Sequence, residues 1–205
     1  MKLMNILVLL MLLSFSIQQK HIPKIQIYIE SLCPDCYFFI TKSFKNFYEN
    51  VKNPNLAEIE FIPYGNAKEV FNTETNKWEF TCQHGEIECY GNLIETCAIQ
   101  KMGNVNSYGT ILCIESNIEE YNFDFDKTLE FCMGDDKDIL EEIKECISSD
   151  EGNFYQHQMA QKTETHSWVP WIVVDGVHDI NVENKIIESL TDYLCGEDKS
   201  KCYGD

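Results

Sequence analysis

Apolar and polar side chains alternate from Lys24 to Glu30, with Ile25, Ile27 and Ile29 set against Lys24, Gln26 and Glu30. A period of two is the mark of a strand. From Pro34 to about Asn50 the period lengthens: Phe38, Phe44, Phe47, Tyr48 and Val51 recur at helical spacing. Asn53-Pro54-Asn55 breaks that helix, and Ile59-Glu60-Phe61-Ile62-Pro63 predicts a second strand. Strand, helix, strand is a parallel crossover unit. Asn72 to Phe80 is polar and predicts a loop or hairpin around Trp78. β-Branched runs then stop, and from about 88 to 165 helical periodicity dominates. Helices are predicted over Glu88–Met102, Ser107–Asn117, Asp126–Cys132, Asp138–Ser148 and Asn153–Thr165, punctuated by Gly103, Gly134 and Gly152. Trp171-Ile172-Val173-Val174 predicts a buried strand ended by the Asp175-Gly176 turn, and Val182 to Leu194 a last helix. The expected fold class is α/β: a small sheet with a helical insertion of about 88–165.

The first stretch stands outside this pattern. Met1-Lys2 is a short basic start, Leu3 to Phe15 is an apolar run, and Ser14-Phe15-Ser16 offers small residues for cleavage. Residues 1–16 are expected to be a secretory signal peptide, since the run is too short for a comfortable membrane span. The mature chain, from about Ile17, is then one domain in size, the domain spanning about 22–203, with no membrane insertion once the signal is removed.

Composition sharpens that view. There are ten cysteines, all beyond the signal. In an oxidising compartment most should pair. Cys33 and Cys36 apart, the remaining eight can form four bridges in about 105 ways, and only a local Cys195–Cys202 bridge suggests itself. The net charge is −18 and every basic residue other than histidine is lysine. Nucleic-acid binding needs a cationic face and is excluded as a class.

Cys33-Pro34-Asp35-Cys36 falls between the first strand and its helix. A helix N-terminus presents unpaired N–H groups and partial positive charge, which favour thiolate, the reactive form. Cys33 is expected to be the exposed nucleophile and Cys36, one turn in, the resolving thiol. Asp35 should partly oppose the thiolate. A zinc site would need two further ligands at compatible spacing, and no second Cys-x-x-Cys exists, so no metal is expected. Val169-Pro170 precedes the strand that starts at Trp171. A thiol-exchange site needs free backbone beside its sulfur for an extended substrate. A cis proline at a strand start supplies this in thioredoxin-like folds, so a cis bond and a substrate-binding role are expected for Val169 and Pro170. Trp168 and Trp171 flank it, either lining that surface or packing in the core.

Residues 82–97 carry the most specific pattern: Cys82-Gln83-His84-Gly85, two residues, Glu88-Cys89, two residues, Asn92, four residues, Cys97. This resembles the signature of the gamma-interferon-inducible lysosomal thiol reductase (GILT) family at every fixed position. The resemblance also takes in Cys33 and Cys36, the Val169–Gly176 stretch and the late cysteines, roughly residues 22–203. It implies a disulfide-stapled thioredoxin-like fold with a helical insertion. It implies reduction of disulfides in protein substrates at acidic pH, with Cys33 and Cys36 as the active pair and Cys82, Cys89 and Cys97 structural. His84 is expected to be a structural histidine, His157 and His166 surface or capping residues, and Glu119-Glu120 and Asp135-Asp136 solvated faces.

The cycle so implied needs no cofactor: Cys33 attacks, Cys36 resolves, and a small-thiol reductant restores the pair. The chain has no Asn-x-Ser/Thr sequon and ends Cys202-Tyr203-Gly204-Asp205 without a retrieval signal. The expected location is therefore the secretory pathway, then lysosome, endosome or the exterior. Rival readings are a secretory-pathway oxidase or isomerase, separable by reduction potential, and an idle secreted binding module.

Overall fold

A computed structural model describes residues 21–53, 56–196 and 200–203. The expected signal peptide, residues 1–16, lies outside the described residues. Among the described residues, six strands and eight helices are formed. Strand β1 (Lys24–Ile29) leads into α1, which runs over 34–50 as Pro34–Phe39, a π-helical turn Ile40–Phe44, and Lys45–Asn50. Then come β2 (Glu58–Pro63), β3 (Lys68–Asn72) and β4 (Lys77–Thr81). Five helices follow: α2 (Glu86–Met102), α3 (Asn104–Asn117), α4 (Phe125–Met133), α5 (Lys137–Ser148) and α6 (Asp150–Lys162). The chain closes with β5 (Trp171–Val174), β6 (Val177–His178), α7 (Ile180–Cys195) and α8 (Ser200–Tyr203).

The main sheet has the order β2-β1-β5-β6. Strand β1 is central: it pairs parallel to β2, with Ile27 opposite Phe61, and antiparallel to β5, with Ile27 opposite Ile172. Being flanked on both edges, β1 buries Ile25, Ile27, Tyr28 and Ile29 completely or nearly so. Phe44 from α1 meets Phe61 and Tyr108 edge to face, at centroid separations of 4.8 and 5.4 Å, a geometry aromatic quadrupoles favour. Ser43, within the π-helical turn, donates to the Ile186 carbonyl at 2.6 Å and accepts from the Leu190 N–H at 2.7 Å. It thereby fastens α1 to α7 beside the break at Ser189.

A second core lies among the helices, built from Ile94, Ala98, Ile114, Phe125, Leu129, Leu140 and Ile143 with Cys97 and Cys146. Bridges Cys97–Cys146 and Cys113–Cys132 staple it. Cys195–Cys202 ties α7 to α8, and Cys82–Cys89 closes a short loop before and into α2. The chain-entropy relation assigns about 4 kcal/mol to the long Cys97–Cys146 loop and about 3 kcal/mol to Cys113–Cys132. No helix among the described residues is long and apolar enough to cross a membrane.

Two sequence expectations are corrected, and the loop-or-hairpin reading of 72–80 is resolved. The polar stretch at 72–80 is the turn and second strand of a two-stranded antiparallel hairpin, separate from the main sheet. Its first strand was hidden because it is mostly exposed and has no apolar alternation. Gly152 is not punctuation but sits inside α6, where a Cβ would come within 2.4 Å of the Cys146 carbonyl oxygen. The glycine lets the two helices approach. His157 is neither a surface nor a capping residue: it stacks on Trp78 at 3.8 Å and bonds Glu69 at 2.8 Å, joining α6 to the hairpin.

Candidate active site

The turn after β1 ends at Cys33, which caps α1. Its N–H reaches the Glu30 carbonyl at 3.2 Å, and Pro34 takes the first helical position, where an N–H is not needed. The Cys33 Sγ accepts the Cys36 N–H at 3.3 Å and lies 3.6 Å from the Val169 carbonyl oxygen. Cys33 and Cys36 are the free cysteines; the other eight are bridged. Cys33 is 7% exposed, so the expected exposed nucleophile is in fact nearly buried, reached through a cleft; Cys36 is fully buried.

Hydrogen bonding from the Cys36 thiol, then from the Cys36 and Asp35 backbone N–H groups, lowers the Cys33 pKa against the opposing effect of burial. Asp35 thus aids the thiolate through its backbone N–H. Burial holds the Cys36 thiol well above its ordinary range. The two sulfurs are therefore unlike: one is poised to ionise, the other stays a thiol.

Signature residues build the facing wall. Cys82–Cys89 closes the loop, and Gly85 holds φ +86°, a conformation that strains any side chain. Glu88, fully buried, accepts the His84 backbone N–H at 3.0 Å on one oxygen and bonds the His84 ring Nδ1 with the other. Asn92 accepts the Ser31 N–H at 2.9 Å and so pins the turn that carries Cys33. Gln83 accepts from Asn66 at 2.9 Å. Cys97 is locked to Cys146, away from the cleft.

The cleft itself has a volume of about 640 Å³, with Cys33, Glu30, His84, Cys82, Lys68 and Trp168 on its walls. Sequence reasoning missed Glu30. It is 1% exposed, takes the Asn66 N–H on Oε1, and leaves Oε2 without a hydrogen-bond partner. Burial pushes its pKa up to about 7. His84, bonded to Glu88, is raised above its ordinary value. Glu30, His84 and Glu88 bring donor atoms within 4.8 Å of one another. Glu88 holds the His84 backbone N–H on one oxygen and the His84 Nδ1 on the other, and Glu30 Oε1 holds the Asn66 N–H, so the group is a hydrogen-bonded charge cluster. The spacing of His84 and Glu88, four residues apart across a helix start, was the available signal.

Val169-Pro170 is cis, both residues are buried, and the Val169 carbonyl faces the Cys33 sulfur. Buried Glu183, also missed, accepts the Trp168 indole N–H at 2.8 Å and the Ile172 N–H at 2.9 Å, holding this loop against β5. Trp168 faces the cleft; Trp171 instead stacks on His178 at 3.5 Å. His166 lies beside Tyr28 and Trp171, outside the cleft. Glu119, Glu120, Asp135 and Asp136 are exposed as expected. Behind the sulfurs, α3 presents Glu115, whose carboxyl interacts with Glu95 of α2; burial raises both pKa values.

An α/β protein that bridges eight cysteines and keeps two unlike thiols at a helix tip can carry out thiol–disulfide exchange. Residues 24–136 match the profile of the family described as gamma interferon inducible lysosomal thiol reductase (GILT). The chain is 34% identical over 188 residues to "Gamma-interferon-inducible lysosomal thiol reductase" of Carassius auratus, covering 87% of this chain and 71% of that protein. To the protein of the same name in Mus musculus it is 33% identical over 158 residues, 74% of this chain and 60% of that one. "GILT-like protein 1" of Drosophila melanogaster is 31% identical over 192 residues, 83% and 73%. The chain belongs to the gamma-interferon-inducible lysosomal thiol reductase family.

Proposed function

We propose that Cys33 and Cys36 carry the disulfide-reducing activity of this family member, acting on disulfide-bonded proteins at acidic pH. The carrying observation is the hydrogen-bonded pair of free thiols at the tip of α1, with every other cysteine bridged. The Cys33 thiolate attacks a substrate disulfide, forming one S–S bond while one substrate sulfur leaves as thiolate and takes a proton. Cys36 loses its proton and attacks Cys33, releasing the second substrate sulfur. The two electrons that reduce the substrate come from closure of the Cys33–Cys36 bond. A small thiol then reopens it. No organic cofactor or metal takes part.

The strand order β2-β1-β5-β6, the dithiol after β1 and the cis Val169–Pro170 before β5 support a thioredoxin-like domain over about 22–203, with 88–165 as a helical insertion. Val169 and Pro170 offer backbone to an extended substrate. Phe38, Trp168 and Ile180, 55%, 44% and 43% exposed, border a groove beside them. Exposed aromatic and aliphatic groups around a reactive sulfur suit unfolded polypeptide rather than a folded, polar surface. Residues 1–16 direct the chain into the secretory pathway, from which it reaches lysosomes, endosomes or the exterior.

Insulin-disulfide reduction by the folded chain at pH 4.5 and pH 7, with Cys33→Ser beside it, tests this. Activity at pH 4.5 that vanishes in the variant is expected. Activity retained by Cys33→Ser would refute the assignment.

A further inference from the structure

We propose that Glu30, His84 and Glu88 form an acid-responsive charge cluster that keeps Cys33 reactive when the surroundings are acidic. This deepens the dithiol reading above and rests on it.

An ordinary thiol of pKa about 8.5 is ionised in only about three parts in ten thousand at pH 5. A reductase working there must make its own sulfur an exception. The helix tip and the Cys36 hydrogen bonds act at every pH. They do not respond to acidification, so they help equally at pH 8.

The cluster does respond. Three side chains from two parts of the chain converge: Glu30, just after β1, and His84, just before α2, line the cleft, and Glu88 of α2 lies buried behind them. Glu88 grips His84 twice, through the backbone N–H and through the ring, which fixes the imidazole relative to Cys33. Each member acts on the sulfur or on its neighbour. The Glu30 carboxylate disfavours the Cys33 thiolate, the thiolate favours the His84 cation, and the His84 cation favours ionised Glu30.

The other charged and titratable groups around the sulfur do not reproduce this. Asp35 and Cys36 approach from α1, and Cys36 stays a thiol. Lys68 of β3 lines the cleft as well. Glu115 of α3 is buried and held neutral at low pH, and Glu119 lies exposed further along that helix. Glu30, whose carboxyl is pushed up to about 7, and His84, held toward its cation by Glu88, are the cleft groups whose protonation helps the thiolate. As pH falls from 8 to 5, Glu30 loses a negative charge, while protonation of His84 is favoured by its bond to Glu88. Proton uptake at these two sites therefore works against proton uptake at the sulfur, and the Cys33 titration must be shallower than a one-proton curve.

The test is the pH dependence, from 4 to 9, of iodoacetamide alkylation of reduced Cys33, read by mass on the intact folded chain. Wild type is expected to give a profile broader than one proton. His84→Gln should slow alkylation at pH 5 by about tenfold, the effect of one pKa unit, with little change at pH 8. Glu30→Gln keeps an acceptor oxygen for Asn66 and should speed alkylation at pH 8 while leaving pH 5 unchanged. Glu88→Gln, which retains an acceptor for the His84 backbone, should shift the profile toward that of His84→Gln. The double variant Glu30→Gln/His84→Gln should follow a single-proton curve. Wild type and variants sharing one single-proton curve would overturn the cluster. That result beside intact Cys33-dependent insulin reduction would leave the reductase standing, whereas reduction that survives Cys33→Ser would bring down the reading beneath it.

Discussion

The sheet and the helical bundle bury their surfaces by different means. Around β1 the core is filled by isoleucines, Phe39, Phe44 and Phe61, and the cysteines within it, Cys33 and Cys36, are free. Among α2 to α6 the apolar set is smaller, and Cys97, Cys146, Cys113 and Cys132 are joined across it. Where side chains alone close the core, sulfur is left available for chemistry. Where they do not, sulfur is fixed as crosslink. One chain can then hold four disulfides and still reduce others, because its own long-range bridge at Cys97–Cys146 is fully buried.

Breaking the long staple should have the largest effect. Replacing Cys97 and Cys146 together by alanine is expected to cost about 4 kcal/mol. The loss should show as earlier exchange of α2 and α5 amides in hydrogen exchange, with β1 protected longest. Equal loss of protection in the sheet would mean that the two cores are one cooperative unit.

Acidity should sharpen the contrast from the sheet side. Glu30 has a folded pKa of about 7, above its unfolded value of about 4.5. A raised carboxyl favours the folded state below the unfolded pKa, and that contribution is lost as pH rises through the folded one. Stability should therefore fall between pH 5 and pH 8, by about 2–3 kcal/mol from Glu30, with buried Glu95 and Glu115 acting in the same direction. Thermal melts at the two pH values check this. Glu30→Gln should shrink the difference, and a higher melting temperature at pH 8 than at pH 5 would contradict it.

A smaller effect is expected at the mouth of the cleft. Trp168→Ala should raise KM for denatured protein substrates carrying one intact disulfide by about threefold to tenfold, the scale of one lost aromatic contact. The same variant should leave reduction of a small disulfide such as cystine nearly unchanged. Equal losses on both would place Trp168 in holding the site together through Glu183 rather than in meeting polypeptide.

Much of this was legible in the sequence, for reasons that differ by element. Strands β1 and β5 announce themselves because each is buried, and helices α2 to α7 because one face of each must be apolar. Their boundaries moved by a few residues where caps took over, as with Asp124 before α4 and Asp136 before α5. Cys33 and Cys36 were visible because a dithiol at a strand-to-helix turn is a local pattern. Strand β3 was not, since a two-stranded hairpin with exposed faces leaves no hydrophobic period. Nor were Glu30 and Glu183: a buried carboxyl looks like any surface acid until the fold supplies the N–H groups that meet it. His84 illustrates the middle case. Its ring is bonded to Glu88, and it also lines the cleft beside Cys33.

The most direct test of the central claim is to stop the cycle halfway. Cys36→Ser, incubated at pH 5 with an unfolded disulfide-bonded protein, leaves Cys33 able to attack but without a resolving thiol. The account predicts a stable mixed disulfide that peptide mapping assigns to Cys33 and that dithiothreitol releases. No adduct, or an adduct mapped to Cys82 or another bridge cysteine, would contradict it.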